Sequence, residues 1–262
     1  MADILNVSRV RPGEVGAHAR WTLRPWDSSF FGLAIAQVTA NPQTAAELSE
    51  TVRTAEQSAI DCLYLLADAD DAETVRAAEA NGFELVDVRL TLECVVGGAP
   101  PPEPSESMRL ARPADLPQLS ALARVSHRNT RFYQDTRFDP ARSDELYAVW
   151  IERSVRGELA DAVFVIDLDG APRGYLAIGA SRDAATIGLV AVEAGYRGQG
   201  HGDALLHAAL RWTAARGLPR VSVVTQGRSE AAVRFYQRAG FTPLRTQLWY
   251  HRWAREPITA FP

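Results

Sequence analysis

The run Arg197-Gly198-Gln199-Gly200-His201-Gly202 has the composition of an anion cradle. Its glycines remove side chains, so several backbone N–H groups can converge on one anion, and Arg197 adds a full positive charge. An apolar stretch at 187–192 precedes the run and an amphipathic one at 202–216 follows it. The loop therefore joins a strand to the N-terminus of a helix, whose partial positive charge favours phosphate. Glycine-rich turns are common, and it is this strand and helix that make Arg197, Gly198, Gln199, Gly200, His201, Gly202 and Asp203 candidate pyrophosphate ligands. The run is not the dinucleotide fingerprint, because no Gly-x-Gly-x-x-Gly fits and no acidic ribose ligand lies at the right distance.

A second candidate is Tyr236, in Ala232-x-x-Phe235-Tyr236-x-x-x-Gly240-Phe241. A phenol stays protonated at neutral pH and can donate a proton to a leaving group. Ala232 and Tyr236 share a helix face at a spacing of four. Packing between helix and sheet is the other reading of Tyr236, and Phe235 reads first as core. Serine at 229 suits the N-cap of that helix. For a general base the chain offers His127, Asp135 and Glu152 by type only, and a water chain would serve as well. The segment 126–138, with Arg131 and Tyr133, mixes arginine and aromatic residues that can pair with phosphate and stack on a base; a solvated loop is the alternative.

Arg197-x-x-Gly200-x-Gly202 after a strand ending Val190-Ala191-Val192, and Ala232-x-x-Phe235-Tyr236-x-x-x-Gly240-Phe241 beyond it, together resemble the acetyl-CoA motifs of the GNAT superfamily of N-acetyltransferases. The likeness covers about residues 108–253. It implies a strand that splays from its neighbour to admit the pantetheine arm beside Val190, Ala191 and Val192. It also implies that the Val192 N–H holds the acetyl oxygen and that Tyr236 protonates the departing CoA thiolate. Ser229 stands where the family often has asparagine; it and Phe235 are then cofactor contacts. Acetyl-CoA would be the donor substrate, with no metal.

Three further segments narrow the likeness: Trp26-Asp27-Ser28-Ser29-Phe30-Phe31-Gly32, the stretch 146–157 containing Trp150, and Thr225-Gln226-Gly227. With a degenerate N-terminal half, they resemble the dTDP-fucosamine acetyltransferase family, which acetylates the 4-amine of a dTDP-linked 4-amino-4,6-dideoxygalactose. The resemblance makes Trp26, Phe30, Phe31, Arg131, Tyr133, Trp150 and Gln226 candidate acceptor contacts. Packing between the two halves is the competing reading of the aromatic ones. Three rivals stay open: acylation of another small amine or a protein N-terminus, a longer acyl donor, and a non-catalytic acetyl-CoA-binding module.

The elements that must position these residues follow from periodicity. The C-terminal half reads as helix 113–127, helix 143–157 capped by Ser143, hairpin 162–167 and 174–180 turned at Asp169-Gly170, strand 187–192, helix 202–216, strand 221–225, helix 229–239 and strand 244–253. The N-terminal half reads as strand 33–39, helix 44–59, strand 62–66, helix 71–80 and two short strands to about 96. Ala80-Asn81-Gly82-Phe83 matches Arg238-Ala239-Gly240-Phe241 in position, so the first half is an incomplete repeat of the second. Ala40-Asn41-Pro42-Gln43 replaces the glycine loop there, which predicts no nucleotide site and a role as support and cleft wall. The expectation is an α/β (α+β) tandem GNAT fold, a mixed twisted sheet flanked by helices. Its domains are 1–97, a Pro-rich linker at 98–107, and a catalytic unit at 108–262.

The totals are ordinary for a soluble globular protein. The chain has 262 residues, 47% of them hydrophobic. A net charge of −4, with every basic residue an arginine, argues against nucleic acid as partner. Cys62 and Cys94 lie in no metal or redox spacing and are expected reduced. The N-terminal stretch lacks a leader pattern and no run is long enough for a membrane span, so a cytoplasmic protein is expected. The expected partner is a small-molecule amine; a homodimer stays open.

Overall fold

The structure, a computed structural model, describes residues 20–97 and 107–254. The linker expected at 98–107, Ser107 apart, lies outside them, as does the N-terminal stretch before Arg20.

Strands β1 (Trp21–Leu23), β2 (Ile35–Val38), β3 (Cys62–Asp68), β4 (Glu84–Val95) and β5 (Met108–Leu110) precede β6 (Ala162–Leu168), β7 (Ala171–Ala180), β8 (Ala185–Val192), β9 (Arg220–Gln226) and β10 (Thr242–Trp253). They form one sheet in the order β1-β2-β3-β10-β4-β9-β8-β7-β6-β5. The pairs β2/β3 and β8/β9 are parallel; every other pair is antiparallel. Among the described residues eight α-helices cover the faces: α1 (Pro25–Phe31), α2 (Ala45–Gln57), α3 (Ala72–Ala80), α4 (Leu116–Ser126), α5 (Arg131–Gln134), α6 (Pro140–Val155), α7 (His201–Ala215) and α8 (Glu230–Arg238).

The buried side chains sort the helices. Leu119, Leu122, Phe132, Leu146, Tyr147, Trp150 and Ile151 from α4, α5 and α6 pack with Tyr64, Tyr175 and Trp249 on one face, and Trp26, Phe30 and Phe31 of α1 join them. On the other face, α7 and α8 cover the C-terminal half with Leu205, Leu206, Trp212 and Tyr236, and α2 and α3 cover the N-terminal half with Leu48, Val52, Ala77 and Ala78.

The repeat appears as β2-α2-β3-α3-β4 against β8-α7-β9-α8-β10. Gly82 and Gly240, at φ 74° and 86°, turn the corresponding helices into the last strands. Those last strands are exchanged. The first copy's β4 pairs with β9 (Arg89↔Gln226), and the second copy's β10 pairs with β3 (Gln247↔Asp68). β4 and β10 then pair with each other at the centre, Gln247 opposite Arg89. One sheet thus carries both halves.

Several local readings need correction. The N-terminal half ends in one long strand, Glu84–Val95, rather than two short ones, because β9 and β10 flank it on both sides. Helix α6 starts at Pro140 and is capped by Asp139, which accepts from the Ala141 N–H. Ser143 lies inside it, fully buried, donating to carbonyls of Asp139 and Phe132. The Trp26–Gly32 run forms helix α1, closed by Gly32 at φ 70°.

Candidate active site

The glycine loop leaves β8 through a 3-10 turn at Ala194–Tyr196 and enters α7 at Gly200. Gly198 and Gly200 adopt φ 75° and 83°, a region that β-carbons disfavour, with open space where a side chain would point. Gly200 is the helix N-cap and offers no capping side chain. The first helical amide to find a carbonyl is that of Ala204, which donates to Gly200 O. The N–H groups of His201, Gly202 and Asp203 precede it and remain for a ligand. Gly202 has a different task, since a Cβ there would lie 3.0 Å from the Phe235 ring. Its absence lets Phe235 of α8 rest against the loop. Arg197 is exposed and donates from Nε to Val192 O, and Gln199 donates to Gly195 O. The loop thus fits a pyrophosphate through bare amides at a helix N-terminus.

The corresponding turn of the first copy is closed. Thr44 and Glu47 form a capping box at the start of α2, each side chain taking the other's backbone amide. Gln43 donates its N–H to Thr74 Oγ1.

Beside the loop the sheet opens. β8 pairs with β7 along its whole length, but with β9 only over Ala185–Ile187. A bulge between the pairs Ile178↔Ile187 and Ala177↔Leu189 bends β8 away. From Gly188 to Val192 one edge of β8 faces no strand. Glu193 donates its N–H to Arg173 O on the β7 side, so strand alternation turns the N–H of Val192 into the opening. Val190 and Val192 pack toward α7 and α8, and Ala191 toward α4 and α6.

Tyr236 sits on α8 over this opening's α7 side, 4% exposed, against Phe235 and Phe241. Burial pushes its phenol above the usual range, which keeps it protonated. Among the described residues its hydroxyl has no hydrogen-bond partner. Ser229 is the N-cap residue of α8, yet its hydroxyl makes no capping bond and is free for a ligand.

On the opposite face lies a pocket lined by Asp87 and Arg89 of β4, Val224 and Gln226 of β9, Trp249 of β10, Thr130, Arg131 and Phe132 at α5, and Tyr147 of α6. Val224 and Gln226 belong to the part of β9 that β8 leaves unpaired, so the pocket and the glycine loop lie on two sides of one opening. Gly227 draws β9 onto β4: its N–H donates to Val88 O, and a Cβ on it would fall 2.9 Å from the Val88 side chain.

Arg131 is 4% exposed. Its guanidinium lies over the rings of Tyr64, Phe132 and Trp249, between 4.2 and 4.4 Å from their centroids. Nη1 donates to His251 Nε2, and His251 Nδ1 bonds Asp135. Burial lowers His251 to about 4, so the imidazole is neutral, protonated at Nδ1 and accepting at Nε2. Arg131 Nη2 makes no hydrogen bond, the Asp27 carboxylate standing 4.0 Å away.

Of the expected acceptor contacts, the pocket gathers Arg131 and Gln226. Trp26 stacks on Phe30 and meets Trp150, and Phe31 packs on Phe132 and Phe138, so these aromatics fill the contact between α1, α5 and α6. Tyr133 donates to Asp144 on α6. The three candidate bases are each engaged elsewhere. His127 is buried against Tyr147 and bonded to the Tyr175 hydroxyl, and burial lowers it to about 4. Burial alone would raise Asp135, but hydrogen bonds from His251, Arg137 and Trp253 outweigh it and hold the carboxyl well below its usual range. Glu152 accepts from Ser120.

Sequence reasoning missed Asp87, Arg89 and Trp249. In Val86-Asp87-Val88-Arg89-Leu90 the charged positions alternate like the wet face of a strand. Only α5 and β10, distant in sequence, bury that face. Among the described residues no group of His, Cys, Asp and Glu side chains could hold a metal ion, and no helix is long and apolar enough to cross a membrane.

A loop of bare amides, a splayed strand pair and a buried phenol above it define an acyl-CoA-dependent transferase fold, and residues 125–241 match the acetyltransferase (GNAT) family. The chain carries a domain of that family, whose donor is acetyl-CoA, and it is an N-acetyltransferase. It is 28% identical over 231 residues to dTDP-fucosamine acetyltransferase of Escherichia coli O6:H1, covering 87% of this chain and 95% of that protein. It is 30% identical over 142 residues to the spore coat polysaccharide biosynthesis protein SpsD of Bacillus subtilis, covering 54% of this chain and 48% of that one. Among solved structures, a GCN5-related N-acetyltransferase from Sphaerobacter thermophilus aligns with a TM-score of 0.62 at 18% identity, covering 86% of this chain and 74% of that one. A tandem GNAT protein from the clavulanic acid biosynthesis pathway aligns with a TM-score of 0.57 at 16% identity, covering 86% and 77%. Both share the fold, and the second is itself a tandem protein.

Proposed function

We propose that the chain transfers acetyl directly from acetyl-CoA to the amine of a nucleotide-linked aminodeoxysugar, dTDP-4-amino-4,6-dideoxygalactose being the first acceptor to try. The observation that carries this reading is the extent of the likeness to dTDP-fucosamine acetyltransferase: it runs through both halves, and the pocket is built from both. In this reading residues 1–97 are an incomplete copy that keeps a wall of the acceptor pocket and has no cofactor site, and 108–262 is the catalytic copy.

The geometry supports the following roles. The amides of Gly198 to Asp203, with Arg197, Gln199 and His201 beside them, hold the pyrophosphate of acetyl-CoA. Ser229 and Phe235 flank it from α8. Val190, Ala191 and Val192 line the opening for the pantetheine arm, and the Val192 N–H donates to the carbonyl oxygen where negative charge builds. The Tyr236 hydroxyl gives its proton to the departing sulfur. Holding both reactants in one opening replaces a bimolecular encounter by a positioned one. On the far face, Arg131 and Gln226 receive the acceptor, and the Arg131 guanidinium gives the pocket wall a positive charge that suits a phosphate. Trp26, Phe30, Phe31, Tyr133 and Trp150 support that wall from behind.

Thermal stabilisation is the test. Acetyl-CoA, dTDP and dTDP-amino sugars should each raise the melting temperature, and the amino sugars should raise it further when CoA is present. No shift with any dTDP compound removes the nucleotide-sugar reading.

A further inference from the structure

We propose that Asp87, a residue of the N-terminal half, receives the ammonium group of the acceptor and takes its proton before acyl transfer. The proposal deepens the acetyltransferase reading above and rests on it. It does not require that the amine belong to a nucleotide sugar.

Asp87 is the acid of the pocket lining and is 3% exposed. Oδ1 accepts from the Val88 N–H at 2.9 Å. Oδ2 has no hydrogen-bond partner among the described residues, and it is not shut away from the pocket. The charged groups that face it are Arg228 from the turn before α8, with Nε 3.8 Å from Oδ1, Arg131 from α5, and Arg89 from its own strand. Trp249 stands opposite on β10. None of these cations donates a hydrogen bond to the carboxylate. A carboxylate buried this deeply and paired this loosely is costly unless a cation arrives to meet it. The acceptor ammonium is such a cation, and the positive charge of Arg131 in the same lining suits an anionic group of the same molecule.

Position and basicity agree with the task. Val224 and Gln226 join the Asp87 pocket to the opening where β8 leaves β9, so an amine at Asp87 lies on the acceptor side of the site. Burial pushes the Asp87 carboxyl up to about 6, against the lowering effect of Arg228, and a base near the working pH both accepts and releases protons readily. The ammonium gives one proton to Asp87 Oδ2, and the freed nitrogen lone pair forms the C–N bond to the acetyl carbonyl carbon. The C–S bond breaks with its electron pair on sulfur, which takes the Tyr236 proton. A second proton leaves nitrogen as the amide forms and restores Tyr236 through solvent. Asp87 returns its own proton to water.

The test uses the full chain and whichever amine it turns over fastest from a panel of dTDP-amino sugars, free amino sugars and amino acids. Asp87→Asn should lower kcat/KM by about 100-fold or more, and the loss should shrink above about pH 9 as free amine becomes abundant. Acetyl-CoA affinity should stay within about threefold of the wild type, which shows that the variant is folded and its cofactor side intact. Asp87→Glu should restore part of the activity. Should Asp87→Asn not fold, the wild-type profile decides, because kcat/KM should fall on the acid side of about pH 6. Asparagine with near wild-type kcat/KM at neutral pH, a loss that does not shrink at high pH, or a wild-type profile without that acid limb overturns the assignment. Turnover of a non-nucleotide amine alone removes the nucleotide-sugar reading and leaves Asp87 under test. No turnover of any amine overturns both.

Discussion

At the scale of single residues, the site depends on side chains whose usual freedom has been taken away. Tyr236 is held by Phe235 and Phe241 in surroundings too dry for a phenolate, which suits it to donate a proton and to little else. Tyr236→Phe keeps the ring and its packing and removes the proton. We expect kcat to fall by about 100-fold or more while acetyl-CoA affinity is retained, as steady-state kinetics and calorimetry would report. Tyr236 and Arg197–Gly202 were legible in the sequence because their neighbours in the chain define their setting. Asp87 was not, because alternation along a strand separates its two faces and does not say which will be covered.

At the scale of elements, two strand–turn–helix units of the same plan differ in how their helices begin. Helix α7 starts at a glycine in the left-handed region and keeps its first amides for a ligand. Helix α2 starts with a capping box and uses them itself. Gly200→Glu puts a side chain at φ 83° and a negative charge where the pyrophosphate would sit; acetyl-CoA affinity should drop by about 10-fold or more in titration. Thr44→Ala is the matched change in the first copy. It should cost about 1 kcal/mol of stability in denaturant unfolding and leave acetyl-CoA affinity alone. Periodicity located every helix of nine residues or more and missed the short α1 and α5 and the three-residue β1 and β5. It misplaced the start of α6 because Ser143 and Asp139 are both good caps, and Pro140, favoured at the first helical position, selects the earlier one.

At the scale of the molecule, exchange of β4 and β10 fastens the halves into one sheet and lets the first half supply Asp87 and Arg89 to the pocket. The same burial has a consequence for pH. His127 and His251 are held neutral, lowered by burial from 6.5 to about 4. Between those values the unfolded chain binds more protons than the folded one, so their contribution is present above about pH 6.5 and is lost as pH falls toward 4. Asp87, raised by burial from 3.8 to about 6, works in the opposite sense, because there the folded state binds the extra proton. Two histidines against one acid leave a net loss, and the melting temperature should fall by roughly 5 °C or more between about pH 7 and pH 4.5 in thermal scans. An unchanged or rising melting temperature over that range would contradict the buried neutral histidines.

Legible in the chain alone were the glycine loop, the Tyr236 phenol, the repeat and the replacement of the loop in its first copy. Each is a local pattern, in which spacing along the chain is spacing along one helix, strand or turn. Tertiary packing settled which copy each last strand joins, which arginine is caged, and that Asp87 of the first copy lines the pocket. Those outcomes depend on contacts between residues more than a hundred positions apart, such as Arg131 with His251, and no local pattern encodes them.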